Sequence, residues 1–520
     1  NSNFDEYIAR YFRITEESGE EEKKVAFLAG CHEYYQNIAE LKKIPDSPFG
    51  YWFNKTITAC FKEKKLYNFA CTRQGFATGD NSKYLRLWHE IDQKKMSEKW
   101  FPCNKGGSFR KWFGNNCFLA NWENDGCAMK AEKGSVIRNP DYYFRRGITW
   151  SSLGNSFGVR YSSADFLFES KGSMCFPNDE RYLYYLLGIL NSVTSRRFLE
   201  ALAPTLDFHE GPVSRIPIII EDTKVKKVDE IVQSSIEISK NDWDSFETSW
   251  DFKRHPLISV VPKNRILFDD MDNVGLAECF SCWENECNER FNQLKENEEE
   301  LNRIFIDIYG LQDELIPEVE DKDVTVRKAD LGRDIRSLIS FAVGCMFGRY
   351  SIEEKGLIYA GGEFDGNKYG RFPADDDAII PITDEAYFDD DIVGRFEEFI
   401  RIVYGAKSLE SNLNYIAEAL GMKGTTAREK IRNYFLKDFF KDHCNTYSVT
   451  GSGKRPIYWL FDSGKQNGFK ALIYMHRYTP DTVGLVRSVY LKKASDAIEA
   501  SLKNAEYIIS ENASAVDVAQ

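Results

Sequence analysis

The sequence predicts a multidomain α+β protein, and three observations support that fold class. At 520 residues the chain is too long for one hydrophobic core, so about two to four domains are expected. Short aromatic segments separated by glycine, asparagine and serine fill residues 46–220, which is typical of a mostly β domain with long loops. Outside that segment apolar residues recur at helical spacing, which predicts helical and α+β regions on either side.

Changes in composition divide the chain into four predicted segments. They are a connector helix entering from an upstream domain (1–45), a mixed, mostly β domain (46–222), an acidic helical region (223–328) and a helical carboxy-terminal domain with a β-hairpin (329–520).

The connector helix is predicted from an apolar stripe that ends near Pro45. A single helix from Tyr182 to Leu202, stopped by Pro204, and a strand at 216–218 are expected to close the mostly β domain. This domain holds six of the ten tryptophans, and large rings such as Trp112 and Trp150 are expected in its core. The stripe consists of Val25, Leu28, Cys31, Tyr35, Ile38 and Leu41.

The carboxy-terminal domain is predicted from four helical patterns and one hairpin. Thr426 and Glu429 form a capping-box pattern at the start of the last helix. The hairpin is predicted at 457–461 and 469–475, joined by the turn 462–468. The predicted helices are 331–347, 392–403, 409–420 and 427–440.

The net charge of −13 is unevenly distributed along the chain. Residues 46–220 hold 24 basic and 17 acidic side chains, a charge of +7, and residues 401–510 hold 17 and 10, also +7. Residues 221–400 hold 21 and 43, a charge of −22, and their run 296–300 is expected to be a solvated face. Because the local field directs a polyanion, the two basic segments are candidates to face nucleic acid.

Basic residues between positions 70 and 160 alternate with aromatic residues, glycine and asparagine. Arginine and lysine can fix phosphates or read guanine, and glycine lets a backbone approach a ligand. The alternative interpretation is a solvated basic surface on a tryptophan-rich core. The candidate DNA-binding residues are Arg73, Lys83, Arg86, Lys105, Arg110, Lys111, Arg145, Arg146 and Arg160.

One motif resembles the loop with which amino-methyltransferases hold a flipped adenine. It reads Asn139-Pro140-Asp141-Tyr142, with aspartate at the third position instead of proline. No apolar strand precedes it, and the sequence carries no glycine-rich signature for S-adenosylmethionine. A surface loop is therefore expected here, and no catalytic residue is assigned.

Other candidate sites favour structural interpretations. The segment 450–455 imitates a phosphate loop but lacks its serine or threonine, so a basic turn is expected. The pair Cys279 and Cys282 has no second ligand pair, which favours buried helix cysteines over a metal site. The acidic runs 375–377 and 389–391 are interpreted as solvated loops. Neither a signal pattern nor an apolar membrane stretch is present, so a cytoplasmic protein with reduced thiols is expected.

Long blocks of the sequence resemble the PglX-type adenine-specific methyltransferases of BREX phage-defence systems. The resemblance spans nearly the whole chain, with its blocks in order. It is carried by residues 47–52, 75–88, 105–114, 121–126, 147–150, 157–160, 242–252, 344–350, 455–461 and 469–478.

The resemblance implies that residues 46–222 are a DNA target-recognition domain for adenine-N6 methylation. In that family a Rossmann-like domain binds S-adenosylmethionine and carries the catalytic Asn-Pro-Pro-Tyr loop. Both motifs are absent here, so no cofactor is expected in this chain, which should be inactive alone. Double-stranded DNA is the implied partner. Two alternatives stay open: a scaffold that binds other defence subunits through the acidic segment, and a stand-alone specificity subunit.

Overall fold

The computed structural model describes residues 7–14, 17–44, 50–204, 207–259, 274–449, 453–465 and 468–510. Parts of several predictions lie outside these residues: the resemblance block at 47–49, the basic turn at 450–452, the hairpin turn at 466–467, residues 260–273 of the acidic region, and the last ten residues. Contacts divide the chain into two compact units. The first unit comprises residues 1–86, 97–243 and 289–327, and the second comprises 87–96, 244–288 and 328–520.

The amino-terminal segment is not the single connector helix that its apolar spacing predicts. A helix at Glu20–Leu28 is followed by a strand, Glu33–Asn37, which pairs antiparallel with Ile8–Phe12. The prediction was wrong because Glu33-Tyr-Tyr-Gln36 finds ladder partners in residues that precede the helix. Val25 and Leu28 of the predicted apolar stripe are 64% and 74% exposed. The helical periodicity therefore does not mark a buried face here.

Besides the amino-terminal strand pair, the described part of the first unit contains two four-stranded sheets, which agrees with the predicted α+β class. In one sheet, Gly172–Pro177 lies between Ala70–Arg73 and Gly147–Ser151, antiparallel to both, and Val159–Ser162 follows at the edge. In the other, Trp100–Asn104 pairs antiparallel with Phe118–Asn121 and, over two residues, parallel with Leu167–Phe168. The predicted strand at 216–218 is reduced to an isolated bridge between Lys65 and Pro217.

The core of the first unit lies beneath these sheets and contains the two expected tryptophans. Trp112 is 1% exposed and Trp150 0%, which confirms both predictions of burial. The closing helix forms as two helices, Leu183–Asn191 and Val193–Leu202. Ser192 breaks it, because its backbone is extended (ψ 160°) and its hydroxyl caps the second helix.

The acidic region is helical, but it does not form a separate unit. The helix Asp222–Asp244 and the later part of the helix Leu276–Tyr309 belong to the first unit, where Val228, Val232 and Phe305 are fully buried. The earlier part of the second helix belongs to the second unit. This division by contacts therefore differs from the four predicted segments, because both helices have apolar faces that enter existing cores.

The second unit is a helical bundle with a three-stranded sheet, in which most predicted elements are recognisable. The predicted hairpin forms from Tyr458–Asp462 and Lys470–Tyr474, and the unpredicted strand Ile379–Ile382 pairs with its second strand. The predicted helix 427–440 contains a π-helical turn at Phe435–Phe439. Thr426 Oγ1 caps that helix at the Glu429 N–H, but the Glu429 carboxylate binds Thr425, so half of the capping box is confirmed.

Most of the remaining elements of the described chain are helices. No helix in the described part of the chain is long and apolar enough to cross a membrane. The remaining α-helices are Ile38–Leu41, Lys55–Cys60, Leu66–Phe69, Asn81–Tyr84, Glu123–Lys130, Glu210–Ser214, Pro256–Ser259, Leu331–Met346, Ile392–Tyr404, Leu409–Leu420, Ala427–Tyr434, Phe440–Thr446, Thr482–Leu485 and Lys492–Ser510; the remaining strands are Leu85–Leu87, Ser448–Val449 and Gly453–Lys454.

Candidate nucleic-acid interface

Three of the nine candidate DNA-binding cations lie inside the first unit. Arg110, Lys111 and Arg160 are 6%, 3% and 2% exposed. The Arg110 guanidinium donates to Asp242 Oδ2 at 2.6 Å and stacks over the Trp243 ring. Burial lowers the pKa of Arg160 to about 10, and the nearby charge of Arg110 adds to this effect.

Lys111 is held by an acidic residue that the sequence analysis placed on a solvated face. Its ammonium group binds the Glu298 carboxylate, which also accepts a hydrogen bond from Trp112 Nε1 at 2.7 Å. Glu298 is 4% exposed, so the expectation of a solvated run at 296–300 was wrong for this residue, although Glu296 is exposed. A buried carboxylate needs such partners, because desolvation of an unpaired charge is costly.

These findings correct the interpretation of Arg110, Lys111 and Arg160. Their charges are enclosed by protein, and two of them neutralise buried carboxylates, so they present no free cation to a phosphate. We therefore assign them to the architecture of the first unit and exclude them from the candidate interface.

The remaining candidates include a cluster around the loop of residues 138–146, which connects to the strand Gly147–Ser151. The Tyr142 ring lies between two arginines, with the guanidinium carbon of Arg73 4.7 Å from the ring centroid and that of Arg145 5.3 Å from it. Arg73 Nη2 also donates to the Tyr142 hydroxyl at 3.1 Å. Arg145 is exposed, while Arg73 and Tyr142 are half-buried. The fold thus brings two predicted cations together from positions 72 residues apart (145 − 73).

Contacts with the segment after Arg73 fix the position of this loop. Ala77 and Val136 exchange two backbone hydrogen bonds of 2.9 Å, and the Asn139 amide donates to the Gln74 carbonyl at 2.9 Å. Gly75 permits the close packing, because a Cβ at this position would lie 1.9 Å from the Phe168 carbonyl oxygen. The backbone of Asn139 lies in the left-handed region (φ 51°). The motif at 139–142 is thus a surface loop, as its sequence predicts.

The charge of the loop is mainly uncompensated at the surface. Among the described residues Arg146 forms an ion pair with Glu180, whose hydrogen bond raises the pKa of Arg146, but no carboxylate pairs with Arg73, Arg138 or Arg145. Asp141 is the one acidic residue within the loop. Exposed arginines without a protein counter-ion are suited to binding phosphate.

The other three candidates, of which Lys83 is exposed and Arg86 and Lys105 are half-buried, lie apart from the loop in sequence and contact nearby side chains. Lys83 forms an ion pair of 2.6 Å with Glu132. Arg86 stacks over Trp100 with 5.5 Å between the guanidinium carbon and the ring centroid, and the Lys105 ammonium lies 5.6 Å from the centroid of Phe118. These three remain predictions, without the clustering seen around Tyr142.

Sequence reasoning missed three residues of the cluster. Arg138 flanks the loop, Tyr142 lies between the two arginines, and Phe144 is exposed beside Arg145. The signal that could have found them is the aromatic and basic run Tyr142-Tyr-Phe-Arg-Arg146. The candidate set included only the two arginines of this run, because cations were singled out and aromatic residues were assigned to the core.

The described residues do not fit an S-adenosylmethionine site of the Rossmann type. Such a site uses the carboxyl ends of parallel strands beside a glycine-rich turn. Among the described residues, the sheet that contains Gly172–Pro177 and the three-stranded sheet of the second unit are antiparallel, and the parallel pairing of Trp100–Asn104 with Leu167–Phe168 extends over two residues. No step of methyl transfer is therefore derived from this chain.

The two acidic runs of the second unit meet each other, unlike the separate solvated loops that were expected. The Tyr490 hydroxyl donates to Asp390 Oδ2 at 2.8 Å and contacts Asp377 Oδ2 at 3.0 Å. Burial raises the pKa of Asp375 to about 7, with the charge of Asp377 as the next cause, and burial also raises the pKa of Asp390. Among the described residues no group of three histidine, cysteine or acidic side chains is arranged to hold a metal ion.

These raised pKa values predict a pH dependence of stability. Asp375 binds a proton in the folded state up to about pH 7 but releases it near pH 4 when unfolded, so the free energy of unfolding should fall as pH rises through that window. Asp375→Asn should reduce the slope and stabilise the protein at pH 7. Urea unfolding between pH 4.5 and 8 measures both effects, with exposed Asp376→Asn as the matched control. An unchanged slope in Asp375→Asn would contradict the assignment.

Comparison with known proteins shows similarity to two adenine-specific methyltransferases over nearly the whole of this chain. No family model matches it. It is 42% identical over 526 residues to the adenine-specific methyltransferase PglX of Lacticaseibacillus casei (strain Zhang). The alignment covers 95% of this chain and 43% of the relative. It is 34% identical over 529 residues to the adenine-specific methyltransferase BrxX of Escherichia coli O9:H4 (strain HS), covering 93% and 42%.

The resemblance that the sequence blocks indicate is therefore confirmed as homology to a part of the PglX and BrxX proteins. The chain is homologous to the carboxy-terminal part of these enzymes and spans less than half of their length. The methyltransferase activity of the two relatives belongs to proteins more than twice as long as this chain.

Proposed function

We propose that the first unit contacts DNA and reads the target sequence for a BREX adenine-N6 methyltransferase acting in the bacterial cytoplasm. The methyl-transfer chemistry belongs to a catalytic region that these residues do not form. The observation that carries the proposal is the cluster of Arg73, Arg138, Tyr142 and Arg145, which is accessible and has no carboxylate partner among the described residues. Its location in a chain 42% identical to an adenine-specific methyltransferase favours DNA as the ligand.

The physical argument rests on the number and rigidity of the cations. Each phosphate neutralised by an arginine releases condensed counterions, so affinity for duplex DNA falls steeply with salt. Tyr142 holds Arg73 and Arg145 at fixed positions, which lowers the entropy lost when both bind phosphates. The backbone bridge between Ala77 and Val136 also joins the chain segment that follows Arg73 to the segment that precedes the 138–146 loop.

The first test is the salt dependence of DNA binding. The variant Arg73→Gln, Arg138→Gln, Arg145→Gln is expected to weaken binding to duplex DNA and to reduce the slope of log K against log salt by about 3, close to one unit per lost phosphate contact. Fluorescence anisotropy with a labelled duplex, repeated over a series of salt concentrations, measures both quantities. Thermal unfolding should change little, since all three side chains reach the surface.

A matched control removes three exposed cations elsewhere in the first unit. Lys24, Arg181 and Lys226 are 62%, 76% and 91% exposed at the side chain, and their replacement with glutamine should leave the salt slope within error. Equal losses in both triple variants would mean that binding follows net charge and that the cluster is not the interface. Absence of any salt-dependent binding by the parent chain would remove the proposal's main support.

Two other functions remain predictions without a specific observation in their favour. A scaffold that binds other defence subunits was motivated by the acidic segment, and its test must use exposed acids such as Glu284 and Glu289. Asp242 and Glu298 are unsuitable, because they pair with buried cations and their reversal would test folding. A stand-alone specificity subunit would bind a separate methyltransferase in a pull-down with the purified partner.

A further inference from the structure

Phe144 has an unusual backbone and an unusual environment for a large apolar residue. Its φ is +59°, in the left-handed region where bulky side chains are rare, and its side chain is 38% exposed. Such a conformation costs free energy and persists only when neighbouring structure enforces it. Neither the core nor the ion pairs of the first unit explain why an aromatic residue occupies this position.

The neighbours on both sides enforce that conformation. The Phe144 N–H donates to the Phe166 carbonyl at 3.0 Å. Tyr143 is buried, and its hydroxyl donates to the Arg138 carbonyl at 2.8 Å, while the strand that starts at Gly147 follows three residues later. With Tyr143 directed into the core and the strand fixed, the backbone turns at Phe144 and its ring stays at the surface.

The exposed Phe144 ring packs against Phe101 and is followed in the chain by two arginines. Its centroid is 5.5 Å from that of Phe101, with 64° between the ring planes, so an edge contact supports one side of the ring. Arg145 and Arg146 follow directly in the chain, and Arg145 has no ion-pair partner among the described residues. A flat apolar surface beside the Arg145 guanidinium, which has no carboxylate partner among the described residues, matches the alternation of bases and phosphates in nucleic acid.

We propose that Phe144 stacks on a nucleobase that is partly unstacked from the bound duplex, while Arg145 holds the adjacent phosphate. This inference rests on the proposed function and adds a specific role, that of an aromatic wedge which positions the DNA. Proteins that insert apolar side chains between base steps recover the cost of unstacking through the contacts that the distorted duplex allows. Rigid presentation serves this purpose, since a pre-oriented ring loses little entropy on binding.

The test compares two short duplexes of the same sequence, one intact and one with a central abasic site. In the second duplex a stacking gap already exists, so a wedge no longer has to open it, at a cost of a few kcal/mol in intact DNA. The parent chain is expected to bind the abasic duplex about tenfold more tightly than the intact one, since even part of that cost corresponds to a factor of ten. Fluorescence anisotropy with either duplex as the labelled probe measures the ratio.

The decisive variant is Phe144→Asn, because asparagine tolerates the left-handed region and removes the ring. It should unfold at the same temperature as the parent or higher, bind intact duplex with an unchanged salt slope, and lose the preference for the abasic duplex. Phe144→Trp should restore the preference. Tyr67→Ala is the matched control, since Tyr67 is 56% exposed in the same unit, and this change should leave the preference intact.

The outcomes separate this inference from the proposed function. If neither duplex shows salt-dependent binding, the proposed function itself fails. If the parent chain binds both duplexes equally, or if Phe144→Asn keeps the preference, DNA binding stands and the wedge is overturned. If Phe144→Asn weakens binding to both duplexes by the same factor, Phe144 is a general contact, which also overturns the wedge. A ring that served a protein partner would give the equal-binding result.

Discussion

Replacing Glu298 with alanine is expected to destabilise the first unit by about 3–5 kcal/mol. The change leaves the Lys111 ammonium, only 3% exposed, without a counter-ion, and it removes the acceptor for Trp112 Nε1. The cost arises mainly from the uncompensated buried charge, because the favourable energy of a buried ion pair is itself offset by desolvation. Urea unfolding followed by tryptophan fluorescence measures the loss.

Two further variants make the Glu298 prediction specific. Glu296→Ala, in an exposed position two residues away, should change stability by less than about 0.5 kcal/mol. The double replacement Lys111→Met with Glu298→Leu should be much less destabilising than Glu298→Ala alone, since no charge then remains buried. If the double variant is as unstable as the sum of the single variants, the charge pair is not the source of the effect.

The second large effect is expected at Arg349 in the second unit. Its side chain is 0% exposed, and its guanidinium carbon lies 5.4 Å from the ring centroid of Trp88, 5.2 Å from that of Tyr350 and 5.5 Å from that of Tyr447. Burial raises the pKa of the enclosed Glu247, while the charge of Arg349 opposes that rise. Arg349→Met should cost about 3–5 kcal/mol at neutral pH, because it removes the cation from the aromatic cage and leaves Glu247 without the charge that stabilises its ionised form.

The dependence of this loss on pH distinguishes the electrostatic explanation from simple loss of packing. Without Arg349 the pKa of Glu247 in the folded state should rise further. The folded state then binds a proton that the unfolded state has released over a wider pH range, and this difference lowers the free energy of unfolding as pH rises. The free energy of unfolding of Arg349→Met should therefore fall more steeply from pH 5 to 8 than that of the parent. Arg487→Met, at an exposed site of the same unit, is the matched control. Equal loss at both pH values would indicate packing alone.

Both predictions show that this protein uses basic residues in two ways. Arg110 and Lys111 neutralise buried carboxylates of the acidic helices, while Arg73, Arg138 and Arg145 have no carboxylate partner among the described residues. Neutralising Arg110 or Lys111 should therefore destabilise the first unit, so a loss of binding in such a variant would not identify an interface. Variants of Arg73, Arg138 and Arg145 avoid this confusion because their side chains reach the surface.

The sequence by itself determined the α+β class, most helix limits of the second unit and the resemblance to PglX-type methyltransferases. These features are local: apolar spacing at 409–420 and 331–347 gives helices at almost the same residues, and Trp112 and Trp150 are buried as their size predicts. The mispredicted amino-terminal helix is the exception, since a strand partner earlier in the chain overrode the periodicity at 33–37.

Only the tertiary structure decided which cations reach the surface. Asp242 lies 132 positions from Arg110 and Glu298 lies 187 positions from Lys111, so no local pattern reveals that these charges are neutralised inside the protein. The cluster around Tyr142 likewise depends on the close approach of two separate segments at Gly75. Burial and pairing are properties of contacts between distant residues, whereas helix spacing and composition are properties of neighbours along the chain.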